Sequence, residues 1–192
     1  MKQFGLIIAL VCAFLGAPAA LAVPITFFAT LGNFESPATG SPGTGTAAIV
    51  FDTTIHTMQI DMSFSGLLGT TTAAHIHCCT NPPGNVGVAT QTPSFLGFPL
   101  GVNSGSYVHL YDMTLASSFN AAFITANGGT VAQAEAALFA GMLAGRSYFN
   151  IHTTRNGGGE IRGFLAVPEP ASLALLGLGL LAIGFSRRKR TG

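Results

Sequence analysis

Residues 57–64 alternate between polar and apolar side chains without a break, and this pattern strongly constrains the fold. The apolar members are Met58, Ile60, Met62 and Phe64. Successive side chains of a β-strand point to opposite faces of a sheet, so the alternation predicts a half-buried antiparallel strand. The chain is therefore expected to build sheets that pack one face on a core and leave the other face in water.

Other segments share this β-prone character and are separated by turn signals. Further strands are predicted at residues 24–31, 46–51, 106–110, 147–153 and 160–166. The polar residues 52–54 predict a hairpin turn, and the glycine-rich run 156–159 predicts a second, closing hairpin. Residues 35–45 hold two prolines and three glycines, so they are expected to form a loop.

One helix is predicted between these strands. Thr130 can cap its N-terminus with Gln133 completing a capping box, and Gly145 suits the C-terminal stop. The residues of its apolar face are Val131, Ala134, Leu138 and Met142. The fold class that follows is all-β: an antiparallel, Greek-key-like β-sandwich of seven or eight strands with one short helical crossover.

Residues 1–22 have the organisation of a signal peptide. Lys2 precedes an apolar stretch at 4–15, and Ala20 and Ala22 supply the small residues required for cleavage. The mature chain is therefore expected to begin at Val23. A signal helix retained in the membrane is the alternative.

Residues 167–192 have the organisation of a membrane-linked sorting segment. Pro168, Glu169 and Pro170 precede an uncharged run at 171–185, which is followed by the basic residues Arg187, Arg188, Lys189 and Arg190. As a transmembrane helix the run would span about 22 Å, which is short for a bilayer core of about 30 Å. The basic tail would hold its far end on the cytoplasmic side.

The order of these C-terminal features resembles the PEP-CTERM signal of Gram-negative bacteria. The resemblance implies that an exosortase cuts near Pro168, Glu169 and Pro170 after export across the inner membrane. The protein would be membrane-anchored before cleavage and at the cell surface or extracellular afterwards. A C-terminal anchor without processing is the alternative.

Without the two terminal segments the chain is weakly acidic. Between residues 23 and 170 three arginines oppose seven acids, which gives a net charge of −4, whereas the whole chain carries +1. A lysine-free segment of this charge lacks the cations that neutralise phosphates, so nucleic acid is not an expected partner. The segment 23–166 is long enough for one domain with its own core.

Two cysteines, Cys78 and Cys79, remain after removal of the signal peptide. Neighbouring residues of a strand point to opposite faces, so the two can pair only through a strained turn. The open options are a vicinal disulfide, intermolecular bridges, metal ligation or two unpaired thiols. In an oxidising exported setting, a vicinal disulfide or free thiols are favoured over a metal site.

Two motifs resemble the CHRD domain, named from chordin. The first is Ala-His-Ile-His at 74–77, followed by a glycine-containing loop at 81–88. The second is Ala-Gly-Arg-Ser-Tyr-Phe-Asn-Ile-His-Thr at 144–153, which runs into Gly-Glu-Ile-Arg-Gly-Phe-Leu at 159–165. The resemblance covers nearly all of 23–166, and it implies a secreted domain. Two departures affect a loop and a turn: the cysteines stand where the family often has a glycine, and Gly157-Gly158 replace an Asn-Pro-Gly turn.

Three histidines of these motifs form a candidate metal site. His75 and His77 are two residues apart, so on a strand they share a face. If the two motif strands are neighbours, His152 joins them in one patch. Imidazoles at that spacing can bind zinc or copper, and a His-x-His strand is similar to the copper-ligand strand of Cu/Zn superoxide dismutases. Glu160 is the only obvious candidate for a fourth ligand.

The interpretation favoured from sequence is structural. The histidines and Asn150 can bond backbone groups and hold loops against strands. Glu160 and Arg162 share a strand face, so they are expected to form a charge-assisted pair or to pin the glycine-rich loop. Gly163 completes this structural motif. No nucleophile elbow, phosphate loop or paired carboxylates occur, so the protein is not expected to be an enzyme.

The function expected from the sequence is therefore a non-catalytic, surface-delivered binding module. The PEP-CTERM resemblance implies an association with extracellular matrix or biofilm, with exosortase as the processing partner. Extracellular polysaccharide and surface proteins are the expected binding partners. The alternative is a zinc- or copper-binding or redox protein that uses His75, His77 and His152.

Overall fold

The computed structural model describes residues 23–168, which form two antiparallel sheets and few helices. The elements in chain order are β1 (Ile25–Leu31), β2 (Thr44–Asp52), β3 (Thr57–Ser65), β4 (Thr71–Cys78), β5 (Gly105–Asp112), a 3-10 turn (Ala116–Ser118), α1 (Ala121–Ala126), α2 (Val131–Leu143), β6 (Ser147–Thr153) and β7 (Ile161–Phe164). One sheet has the order β1-β2-β3-β5 and the other β4-β6-β7. The all-β sandwich predicted from sequence is confirmed.

The core lies between the two sheets and follows the alternation read from the sequence. Met58, Ile60, Met62 and Phe64 of β3 are all buried, and the polar residues between them are exposed or half-buried. Apolar side chains of the second sheet complete the core, among them Ala74, Ile76, Phe149, Ile151 and Ile161. Burial of each large aliphatic or aromatic side chain contributes about 1.5–3 kcal/mol, so this inner layer is the main source of stability.

The crossover between β5 and β6 contains two helices where one was predicted. The helix α2 begins as expected, because the Thr130 hydroxyl accepts a hydrogen bond from the backbone N–H of Gln133 at 3.3 Å. The preceding helix α1 is capped by Asn120, whose side chain accepts from Ala122 N. Six residues are too few for an apolar period to stand out, which is why α1 was missed.

His56 is a lone histidine between two predicted strands, and the sequence predicts an ordinary strand residue there, which is wrong. It lies in the turn between β2 and β3 with a φ of 55°. Its Nδ1 atom is 2.8 Å from the Glu135 carboxylate on α2. This contact ties the turn to the helical crossover.

The two sheets meet along one side, where β1 runs beside β7. Backbone pairs join Phe28 to Ala166 and Gly32 to Arg162. Gly163 lies between these pairs, and a Cβ atom there would collide with the backbone carbonyl of Thr30. Only a glycine therefore lets the two strands approach this closely.

The signal helix predicted at 1–22 and the transmembrane helix predicted at 171–185 lie outside the described residues, as do Glu169, Pro170 and the basic residues 187–190. Among residues 23–168, neither helix combines the length and the apolar character that crossing a membrane requires.

We expect Gly163→Ala to lower the free energy of unfolding by about 3 kcal/mol, because the added methyl group pushes β1 away from β7. Gly87→Ala is the matched control, since a Cβ atom at Gly87 meets no atom within 4 Å. Chemical denaturation of both variants measures the difference. Equal stability of the two variants would show that the close approach of β1 and β7 contributes nothing.

Candidate metal centre

Strands β4 and β6 are neighbours, and their pairing brings the three motif histidines together. In the register, Ala73 lies opposite His152 and His77 opposite Tyr148. The ring centroids of His75 and His152 are 5.1 Å apart, and those of His77 and His152 are 5.5 Å apart. One ring nitrogen from each histidine lies within 4.8 Å of the other two.

Each of the three imidazoles is held by a backbone carbonyl. His75 Nε2 lies 2.8 Å from the Pro93 oxygen, His77 Nδ1 lies 2.7 Å from the oxygen of Val86, and His152 Nδ1 lies 2.9 Å from that of Gly157. A carbonyl oxygen can only accept, so each of these nitrogens carries the hydrogen. In the neutral rings, the lone pairs are therefore at the opposite nitrogens: Nδ1 of His75 and Nε2 of His77 and His152.

Burial keeps these rings neutral. It lowers the pKa of His75 to about 4, with a further contribution from the neighbouring His152. Burial also lowers the pKa of His77 to about 4, and it lowers the pKa of His152 below its ordinary value. At neutral pH all three rings are therefore unprotonated at the nitrogens that face one another.

The ring nitrogens that carry no hydrogen lack a donor among the described residues. His75 Nδ1 is buried and has no hydrogen-bond partner. The Nε2 atoms of His77 and His152 are 3.4 Å apart, and each ring has its hydrogen on Nδ1. Buried acceptors without donors are unfavourable by themselves, and three imidazoles with one nitrogen each within 4.8 Å of the others can hold a metal ion.

A buried stack supports the ring of His77. Its ring lies parallel to that of Tyr148, with 4.8 Å between centroids and 9° between planes. The guanidinium carbon of Arg162 lies 4.7 Å from the centroid of the Tyr148 ring. The stack fixes the plane of His77 and places a cation behind it.

Arg162 is fully buried and donates hydrogen bonds to the glycine-containing loop at 81–88. Its guanidinium donates to the carbonyls of Phe34 and Pro83 at 2.7 Å and to Asn85 Oδ1 at 2.6 Å. The loop 81–88 carries Val86, whose carbonyl orients His77. The guanidinium therefore helps to orient the ring of His77 through this loop.

The prediction of a charge-assisted pair between Glu160 and Arg162 is wrong. The carboxylate of Glu160 accepts hydrogen bonds from four other groups: Ser41 Oγ, Thr153 Oγ1 and the backbone N–H groups of Leu68 and Gly69. Burial acts to raise the pKa of Glu160, but these hydrogen bonds outweigh it and hold the pKa below its ordinary value. Both oxygens are engaged in bracing loops, so Glu160 does not serve as a fourth ligand.

Asn150 lies on β6 opposite His75, and its side chain contacts the turn that joins β6 to β7. Its side-chain Nδ2 donates to the Gly158 carbonyl at 3.3 Å, whereas its Oδ1 is buried without a partner. Asn150 therefore contacts the turn through its Nδ2 group, whereas its Oδ1 atom makes no hydrogen bond.

Cys78 and Cys79 are joined by a disulfide in the structure. The sulfur atoms pack against Gly141 of α2, where a Cβ atom would collide with both. In this form the sulfurs offer no thiolate, so the donor set consists of the three histidines. Among residues 23–168, His75, His77 and His152 are the potential metal ligands that lie close enough together to share one ion.

Sequence reasoning identified the three histidines and missed what orients them. The carbonyls of Pro93, Val86 and Gly157 come from loops, and a backbone carbonyl has no signature in the sequence. Glu35, whose carboxylate lies 3.6 Å from the Arg162 guanidinium, was also missed. A carboxyl in a loop rich in proline and glycine is usually solvated, so no pattern indicated its burial.

Two family models match the chain. Residues 27–165 match the CHRD domain, and residues 166–190 match the PEP-CTERM protein-sorting motif. No curated protein and no solved structure shows a match to the chain. The two matched segments adjoin, and together they cover most of the sequence.

We expect Glu160→Gln to lower the free energy of unfolding by about 3 kcal/mol at neutral pH, because the amide directs N–H groups at buried donors. The carboxylate stabilises the fold above its ordinary pKa of 4.5, and this contribution disappears as the pH falls through the lower folded-state value. Urea denaturation of wild type and variant, at neutral pH and in acid, should show a gap that narrows at low pH.

Asp61→Asn is the control for this experiment, since Asp61 is an exposed acid on β3. Its stability should stay within about 0.5 kcal/mol of wild type at both pH values. If Glu160→Gln behaved in the same way, the hydrogen bonds to Glu160 would have no net effect on stability.

Proposed function

The chain belongs to the CHRD domain family, and we propose that it is an exported protein that presents a zinc- or copper-binding β-sandwich at the cell surface. The sorting motif at 166–190 marks the chain as an exosortase substrate of a Gram-negative bacterium, anchored at the membrane before processing. The proposal for the sandwich itself concerns binding. Its ligand set is His75, His77 and His152.

The observation that carries the proposal is a cluster of three neutral imidazoles, each with one ring nitrogen within 4.8 Å of the other two. Each ring already uses its other nitrogen on a backbone carbonyl, which sets both its tautomer and its orientation. Metal-ligating histidines characteristically have such an outer partner. Histidines that only brace a fold satisfy both nitrogens, whereas His75 Nδ1 is buried without a partner.

The chemistry of the donor set favours zinc or copper. Three neutral imidazoles suit both metals and suit calcium or magnesium poorly, because those ions prefer oxygen ligands. A bound zinc or copper ion would supply a positive centre with a further coordination position for a small ligand. The residues around the site hold the rings and limit the entry of water.

We propose that this role is non-catalytic. The nearest carboxylate of the second motif, Glu160, is committed to four hydrogen bonds. Arg162 is likewise engaged with loop carbonyls and Asn85. The polar groups of the two motifs therefore support binding and bracing, and a metal-dependent redox activity is the enzymatic alternative.

Association with extracellular matrix is the second candidate, and the sorting motif favours it because it directs the chain to the surface. In that role the three histidines would brace loops, and polysaccharide or surface proteins would be the partners in a biofilm. The two candidates differ in metal content. A matrix module needs no ion to be stable.

We expect protein recovered from cells that export it to contain one zinc or copper ion per chain. His75→Ala and His77→Ala should each lose the metal, because two imidazoles bind far more weakly than three. Removing the ion from wild type should lower the unfolding temperature, since a ligand at a hundredfold excess over its Kd contributes about 2.7 kcal/mol. Elemental analysis and calorimetry measure the two effects.

His109→Ala serves as the control, because His109 lies on β5 in the other sheet and should leave the metal content unchanged. Metal-free wild type with unchanged stability would refute the metal proposal and favour the matrix module.

Replacing Pro168, Glu169 and Pro170 by alanines should keep the chain in the membrane fraction. Its C-terminal segment should then remain uncleaved. The reason is that the exosortase would no longer find its motif. Intact-mass measurement of membrane and medium fractions reads the outcome, with Ser172→Ala as the control. Normal release of the triple variant would exclude processing at this motif.

A further inference from the structure

A polar pocket lies between the loop that follows β1 and the turn that joins β6 to β7. Its volume is about 360 Å³, within the range of about 300–1,000 Å³ that is usual for small-molecule sites. It is lined by Glu35, Ser36, Pro37, Thr39, Asn85, Asn156, Gly157, Gly158 and Gly159. We propose that this pocket binds an uncharged saccharide through the hydroxyl groups of a pyranose ring.

The first support is a buried carboxylate that lacks its hydrogen bonds. The Glu35 side chain is 8% exposed, and its Oε1 atom has no hydrogen-bond partner. Its Oε2 atom lies 3.6 Å from Arg162 Nε, beyond hydrogen-bond distance. A buried carboxylate oxygen without a donor is energetically unfavourable, so a ligand that supplies a donor would be stabilised there.

Two further unpartnered atoms lie at or next to this pocket, since Asn156 lines it and Asn150 packs against the pocket residue Gly159. Asn150 Oδ1 is a buried acceptor, and Asn156 Nδ2 is a buried donor. A Cβ atom at Gly159 would collide with the Asn150 amide and lie 2.6 Å from Glu35 Oε1. Gly159 therefore packs directly against both acceptors, and a larger residue at this position would displace them.

The polarity of these atoms defines the complementary ligand. Two acceptors and one donor match two hydroxyl groups, since a hydroxyl both donates and accepts a hydrogen bond. One hydroxyl would donate to Glu35 and another would donate to Asn150 while accepting from Asn156. Adjacent hydroxyls on a rigid ring provide this pattern at low cost in conformational entropy.

The charge balance of the pocket favours a neutral ligand. The Glu35 carboxylate is offset by the buried Arg162 guanidinium, whose nitrogens donate to Phe34, Pro83 and Asn85. An anionic ligand would be repelled by Glu35. A cationic ligand would compete with Arg162 for the same carboxylate.

The test compares three probes that share one ring: D-glucose, D-glucuronate and D-glucosamine. Isotope-labelled protein recovered from exporting cells is titrated with each, and the NMR signals of Gly157, Gly158, Gly159 and the Asn85 amide are followed. Glucose should shift these signals with a Kd in the millimolar range, as expected for about twelve non-hydrogen atoms at modest ligand efficiency. Glucuronate should bind at least about tenfold more weakly, which corresponds to about 1.4 kcal/mol.

Two variants locate the effect. Glu35→Gln keeps the shape of the side chain but removes its charge, so it should weaken glucose binding and reduce the preference of glucose over glucuronate. Gly158→Leu places a side chain where a Cβ atom meets no neighbour, so it should block the pocket without disturbing the fold. Asp61→Asn and Gly87→Leu are the matched controls outside the pocket, and both should bind like wild type.

The outcomes separate this site from the metal centre. The shifts should persist in His75→Ala, since none of the three histidines lines the pocket. Absence of shifts with all three probes, or equal glucose binding by wild type and Gly158→Leu, would overturn the saccharide site. Stronger binding of glucosamine than of glucose would also overturn it, in favour of a cation site at Glu35.

Discussion

The buried guanidinium of Arg162 is the interaction on which the rest of this structure depends. It is fully enclosed, and it donates to groups on two separate loops, at Phe34 and at 83–85. A planar cation with five N–H donors suits this task, because it satisfies several carbonyls that would otherwise be buried without partners. Without the guanidinium, each of those buried acceptors would lack a hydrogen bond, at a cost of about 1–3 kcal/mol of stability. The two loops would also lose the contacts that hold them in place.

Arg162 also connects the two sites proposed for the protein. On one side it stacks on Tyr148, which stacks on His77 of the metal centre. On the other side it faces Glu35 and holds the loop carrying Asn85, both of which line the polar pocket. A second buried charge, the Glu160 carboxylate, accepts hydrogen bonds from the loops at Ser41 and at 68–69 and so holds them in place. The sandwich core is conventional, and its loops are ordered by these two buried charges.

The fold was largely predictable because its signals are local. The alternation along β3, the turn at 52–54 and the cap at Thr130 each depend on a few neighbouring residues, and each is present in the structure. The helix α1 was missed because its pattern is too short to register. The role of His56 was misjudged because its partner, Glu135, lies 79 residues away.

The candidate sites were predictable to the level of residue type and strand face. His75 and His77 had to share a face, since a strand repeats every two residues, and His152 could join them only if β4 and β6 paired. The pairing of Glu160 with Arg162 was predicted from the same reasoning and was wrong. Sharing a face places two side chains near each other, but each turned instead to nearer backbone and hydroxyl partners.

What the sequence determined by itself was the set of strands, the face on which each side chain stands and the two family motifs. Backbone geometry over two to four residues is sufficient for that, and it holds wherever the strand is placed. The tertiary structure alone decided which nitrogen of each histidine carries the hydrogen and which carboxylate remains without a donor. Those outcomes depend on contacts such as Arg162 with Phe34, 128 residues apart, and Glu160 with Ser41, 119 residues apart. Such partners become neighbours only when the sheets have packed, because a hydrogen bond requires two groups within about 3 Å of each other.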